Sequence, residues 1–206
     1  MSSDQPFEEF SQTNDLHYLS HRSLVRDLIP VWLGEDVVDL NGRIAAAAYG
    51  ETPNAIQELV IEILAPVTED TFLDLGAGAG GFLAPFLERG ISAFGVEQNP
   101  RLVEAGRRYL KSRQFDPRCL IQGDFLKYSW PAPTAIFSAT SRFSEKTLCA
   151  LAPIADRTRS IRMIATLGKA LEMGSGWTLV HQSDHQISWN QDEPEVPETL
   201  FCWERK

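Results

Sequence analysis

The residues best equipped for chemistry are a run of glycines and three acids that follow apolar stretches. Asp74 lies in Thr71-Phe72-Leu73-Asp74-Leu75, and Gly76, Gly78, Gly80 and Gly81 come directly after it. Phe72, Leu73 and Leu75 suit a parallel strand buried on both faces. Gly76 and Gly78 let the backbone turn tightly and approach a ligand with no side chain in the way. The chemistry on offer is the holding of a nucleotide-type cofactor. Gly76, Gly78 and Gly81 meet the spacing G-x-G-x-x-G, in which a helix N-terminus receives the pyrophosphate of a dinucleotide.

A second pattern fits the same residues. Asp74, Gly76, Gly78 and Gly80 read as acidic-x-G-x-G-x-G, the turn that holds S-adenosylmethionine. Spacing alone leaves both readings open. Asp74 favours S-adenosylmethionine, because a carboxylate at a strand end repels a pyrophosphate but pairs with the ammonium of a methionine moiety. Glu97 closes the next apolar run, Ile91 to Glu97, about 20 residues beyond the first glycine, where an acid can accept hydrogen bonds from both ribose hydroxyls. Asp124 follows Cys119-Leu120-Ile121 and can accept the adenine amino group, while Phe125 covers a ring face. No residue is assigned as a general base.

The elements that must position these groups are legible as an alternation. Residues 56–64 read as an amphipathic helix, with Thr52 as its N-cap and Pro53 in its first turn; the turn-rich stretch from Tyr49 to Asn54 could also serve as a lid. Strands are expected at 71–75, 91–97, 119–121, 135–137 and 161–166, with helices at 82–88, 100–111 and 144–155. Two closing strands, 177–183 and 198–203, form a hairpin-like pair with Trp189 near their connection. The fold class is α/β, Rossmann-like, mostly parallel with an antiparallel edge. Residues 1–50 form an N-terminal helical extension or lid, where apolar residues recurring from Leu16 suggest a short helix ending at Pro30, and residues 51–206 form the main domain.

Composition sets further bounds. The chain has 206 residues, 43% of them hydrophobic, enough for one real core. A net charge of -9 argues against nucleic acid held through a general basic footprint. Cys119, Cys149 and Cys202 suggest neither a disulfide framework nor a zinc site, and with no signal segment or membrane span the expected place is the cytoplasm. His17 and His21 have helix-face spacing without a third ligand, and His181 and His185 read as ordinary strand residues whose roles alternation separates; no metal is assigned.

From Tyr49 to Phe143 the chain resembles the disruptor-of-telomeric-silencing family, the non-SET histone-lysine methyltransferases, and its shorter bacterial relatives. The resemblance rests on Tyr49-Gly50-Glu51-Thr52, Phe72-Leu73-Asp74-Leu75-Gly76-Ala77-Gly78, Gly95-Val96-Glu97, and Gly123-Asp124-Phe125-Leu126 with Trp130 close behind, all in the family's order. It implies a seven-stranded class I methyltransferase sheet with helices on both faces. It also implies S-adenosylmethionine held by Asp74, Gly76, Gly78 and Gly80, by Glu97 at the ribose, and by Asp124 and Phe125 at the adenine, under a loop that includes Tyr49 and Thr52. At the lysine channel, where the eukaryotic enzymes carry Asn-Asn-Phe-Ala-Phe, this chain has Ala139-Thr140-Ser141-Arg142-Phe143.

The expected activity is therefore methyl transfer from S-adenosylmethionine to a protein lysine or a small amine, with Ser138, Thr140 and Phe143 lining the acceptor channel. The alternatives are a small-molecule O-methyltransferase and a non-catalytic protein that binds S-adenosylmethionine or NAD. Neither nucleic acid nor a membrane is an expected partner.

Overall fold

The computed structural model describes residues 52–187 and 197–206. The expected extension over 1–50, Tyr49, the His17 and His21 pair and Trp189 lie outside them. Helix α1 (Asn54–Leu64) turns Ile56, Val60, Ile61 and Leu64 inward. Its N-cap is Pro53, with no side-chain cap, so Thr52 does not cap this helix; the Thr52 carbonyl instead accepts from Gln57 Nε2 at 2.8 Å. Strand β1 (Thr71–Leu75) leads through a short 3-10 turn (Gly81–Leu83) into α2 (Ala84–Glu88), and Gly90 ends that helix at a φ of 73°.

The alternation continues with β2 (Ser92–Glu97), α3 (Pro100–Ser112), β3 (Leu120–Gln122), β4 (Ala135–Ala139), α4 (Glu145–Arg157) and β5 (Met163–Leu167), and the chain closes with β6 (Trp177–His185) and β7 (Glu198–Arg205). Helix α3 starts at an Asn99 cap that accepts from the Arg101 amide, and its basic residues face solvent while Leu102, Val103, Tyr109 and Leu110 are buried. Ser144 caps α4 by accepting from Thr147 N at 3.2 Å.

All seven strands join one sheet in the order β3-β2-β1-β4-β5-β7-β6. The first five are parallel, and β7 runs antiparallel between β5 and β6, so the last strand slots in one place from the edge. Strand alternation divides the core in two. Phe72, Phe137, Ala165 and Cys202 face α1, α2 and α3, where Phe72 stacks on Phe86 with centroids 3.7 Å apart. Leu73, Leu75, Ile136 and Ile164 face α4, with Trp177 and Trp203 buried among them.

Arg162 ties the amino end of the sheet to α1. It donates to Asp70 at 2.7 Å and to the Leu64 carbonyl at 2.8 Å. The three cysteines are free, and no helix among the described residues is long and apolar enough to cross a membrane. Charge is unevenly placed along the sequence. The described residues hold sixteen Lys and Arg against sixteen Asp and Glu, so the whole -9 belongs to residues 1–51 and 188–196.

Candidate functional site

The site is built where β1 stops. Gly76, Gly78 and Gly80 all take positive φ, at 80°, 55° and 72°, which few other residues adopt without strain. The turn is pinned to the neighbouring strand, since Gly76 N and Ala77 N both donate to the Val96 carbonyl. Two further glycines let other elements close on it. A Cβ at Gly95 would stand 2.6 Å from the Ala77 Cβ, and one at Gly106 would stand 2.8 Å from the Ala79 carbonyl carbon and closer still to its oxygen. Gly106 was not singled out in the sequence; a glycine in the middle of an otherwise regular helix was the signal.

Asp74 is 4% exposed, and among the described residues no group donates a hydrogen bond to its carboxyl. Burial first, and the charge of Glu97 second, push it up to about 8. An acid so placed keeps its proton near neutrality, and a cation beside it favours the ionised form. Glu97, at the carboxyl end of the adjacent strand, accepts from Gly78 N at 3.0 Å and from Asn99 N at 2.8 Å, so the turn and the start of α3 are fixed through one carboxylate. Its remaining lone pairs are available to hydroxyl donors. The Glu97 carbonyl accepts from Gly123 N at 2.9 Å, which brings the loop bearing Asp124 alongside.

Asp124 accepts from Leu126 N at 3.0 Å and pairs with Lys127 at 3.2 Å, and the Leu126 amide leads the contacts that hold its carboxyl below the ordinary range. Phe125 is buried, its carbonyl takes Trp130 Nε1 at 2.9 Å, and its ring stacks on Phe143 with centroids 5.4 Å apart. Phe143 also borders the glycine turn, its ring edge 3.3 Å from where a Gly76 Cβ would stand. Thus the structure brings Asp74, the glycines, Glu97, Asp124, Phe125 and Phe143 around the carboxyl ends of β1 to β4, the usual place for a ligand in an open α/β sheet.

Ser138 and Thr140 are placed differently from the channel expected of them. Both are fully buried. Ser138 Oγ donates to the Leu75 carbonyl at 2.7 Å, and Thr140 Oγ1 donates to the Lys169 carbonyl at 2.7 Å while accepting from Lys169 N at 2.8 Å. These hydroxyls hold strand ends together and are not presented to an acceptor. Lys169 Nζ then donates to the Phe143 carbonyl at 2.8 Å, so the loop after β5 steadies the aromatic ring beside Gly76.

Solved methyltransferases share the fold of this sheet. An RNA methyltransferase from Salinibacter ruber, solved with S-adenosyl-L-homocysteine, superposes with a TM-score of 0.58 over 76% of this chain and 94% of its own, at 18% identity. TrmN from Thermus thermophilus gives 0.61 over 78% and 51% at 15% identity, and PH1948 from Pyrococcus horikoshii, a putative RNA methyltransferase by description, gives 0.57 over 87% and 97% at 14% identity. At such identities the likeness is one of fold. No family model matches the sequence, and no curated protein matches it at the level of sequence.

Proposed function

We propose that the chain is an S-adenosylmethionine-dependent methyltransferase acting on an amine, either a protein lysine or a small molecule. The observation that carries the reading is Asp74, a buried carboxyl with no described donor beside three left-handed glycines. A dinucleotide pyrophosphate would meet two acids there, whereas an ammonium completes the site. The cofactor, when bound, supplies a methyl on a sulfonium that passes to an acceptor lone pair as the carbon–sulfur bond breaks.

The chain's own part is binding and exclusion of water. Asp74 holds the ammonium, Glu97 the ribose hydroxyls, and Asp124 the adenine amino group. Tyr49 and Thr52 belong to the loop that closes the site, as the resemblance to the non-SET lysine methyltransferases implies. Phe143, backed by Phe125, walls the acceptor side; an apolar wall favours the neutral amine, the only form with a lone pair to give. With Ser138 and Thr140 committed to backbone carbonyls, no side-chain base is assigned.

A nucleic-acid acceptor is the second reading. It is favoured by the charge balance of the described residues, which removes the objection drawn from -9, and by the RNA methyltransferases among the structures of like fold. The test of the cofactor is direct. S-adenosylhomocysteine raises the melting temperature and NAD does not. A shift with NAD alone would replace the methyltransferase reading by the dinucleotide one.

A further inference from the structure

Away from this site, the outer strand carries a second cluster. His181, Ser183 and His185 alternate along β6 and so share one face, against the expectation that the strand would separate them. His181 Nε2 and His185 Nε2 each stand 2.7 Å from the same Ser183 Oγ. A hydroxyl has one proton. That proton serves one ring at most: the ring that accepts it presents an Nε2 lone pair to the shared point, and the other ring donates Nε2–H to the same oxygen.

We propose that His181, Ser183 and His185 form a two-histidine clip for a late first-row divalent metal, Zn2+ or its neighbours, on the outer strand of the sheet. Neutral imidazole nitrogens suit Zn2+, Cu2+ and Ni2+ and do not suit Mg2+ or Ca2+. Drawing both nitrogens to about 2.0–2.1 Å from an ion requires side-chain rotation and no break in the ladder, because the three residues remain opposite Cys202, Leu200 and Glu198. A neutral ring that bears Nε2–H moves that proton to Nδ1 on ligation, and a charged one releases it. Ser183 then serves as a weak ligand or holds a metal-bound water.

The surroundings fit a half-open site. All three residues are half-buried. Asp184 faces the other way and accepts from Thr199 Oγ1 at 2.7 Å. Leu200 and Cys202, opposite on the same face, are fully buried, and burial pushes the Cys202 thiol up to about 12. The half-exposed ligands of the clip are the two ring nitrogens and the Ser183 oxygen.

The chain has four histidines, so nitrogen NMR of the full-length protein resolves this pair from His17 and His21. The expected result is a saturable Zn2+ titration that moves Nε2 of His181 and His185 together, with no response to Mg2+. His185→Gln weakens the response at His181 about tenfold or more, while Ser183→Ala, with its hydroxyl gone but both nitrogens kept, stays within about threefold. Unmoved Nε2 signals at saturating Zn2+ overturn the proposal, as does a His181 response that His185→Gln leaves unchanged.

Discussion

Asp74 sets two pH dependences of opposite direction. Its carboxyl sits at about 8 in the folded protein, against about 3.9 for an ordinary aspartate. A raised value means that the folded state holds a proton which the unfolded state releases. Asp74 therefore stabilises the fold fully below about pH 4, and that contribution is lost as pH rises through 8. Asp74→Asn, neutral and of the same size, removes the loss. Its melting temperature should exceed that of the wild type at pH 8, and the gap should close toward pH 5. Cofactor binding runs the other way. The ammonium pairs with the ionised acid, so the affinity of the wild type for S-adenosylhomocysteine should climb from pH 6 to 8 with proton release. In Asp74→Asn it should be flat and about 10- to 100-fold weaker. Calorimetry in two buffers of different ionisation enthalpy reads both effects; a flat wild-type profile would remove the ammonium from Asp74. At this scale the sequence revealed the acids, because Asp74 and Glu97 are set by spacing from the glycines. It misplaced Ser138 and Thr140, because where a strand-end hydroxyl turns depends on the carbonyls of Leu75 and Leu167 to Lys169, far off in sequence.

Among the elements, the decisive join is between α3 and the glycine turn. Alanine at position 106 would gain about 1 kcal/mol of helix propensity. Its Cβ would also meet the backbone of Ala79, which cannot rotate away, and overpacking of that kind costs about 1–3 kcal/mol. The clash wins. Gly106→Ala should lower the urea midpoint and weaken S-adenosylhomocysteine binding, because the turn moves with the helix. Gly123→Ala is the control; among the described residues beyond its two chain neighbours, no atom lies within 4 Å of its Cβ position, and it should stay within about 0.5 kcal/mol of the wild type. Strand positions were readable from apolar runs, and the starts of α3 and α4 at Pro100 and Ser144, since these signals are local. The insertion of β7 between β5 and β6 was not. It depends on the pairing of Met163–Leu167 with the last strand, which no short window of sequence contains. The cap of α1 was misread for a related reason: Thr52 is buried, its carbonyl is held by Gln57, and Pro53 takes the cap position.

At the scale of the whole molecule, the sequence concealed where the charge lies. A total of -9 spread evenly would repel a polyanion, but the described residues are balanced in charge. The acceptor is therefore not decided by net charge and turns on the wall beside Gly76. That wall is the Phe143 ring, stacked on Phe125 and steadied by Lys169; it offers desolvation, which suits a nucleophile that must enter uncharged. The reading is decided by fate of label. Full-length protein incubated with methyl-labelled donor and a cell extract should yield label that resists ribonuclease and is found either in protease-sensitive material or in the small-molecule fraction. Transfer should rise with pH as the acceptor amine loses its proton. Label released by ribonuclease would overturn the amine reading and leave the cofactor assignment standing, because the donor-binding roles proposed for Asp74, Glu97 and the glycines do not depend on which nucleophile faces the methyl.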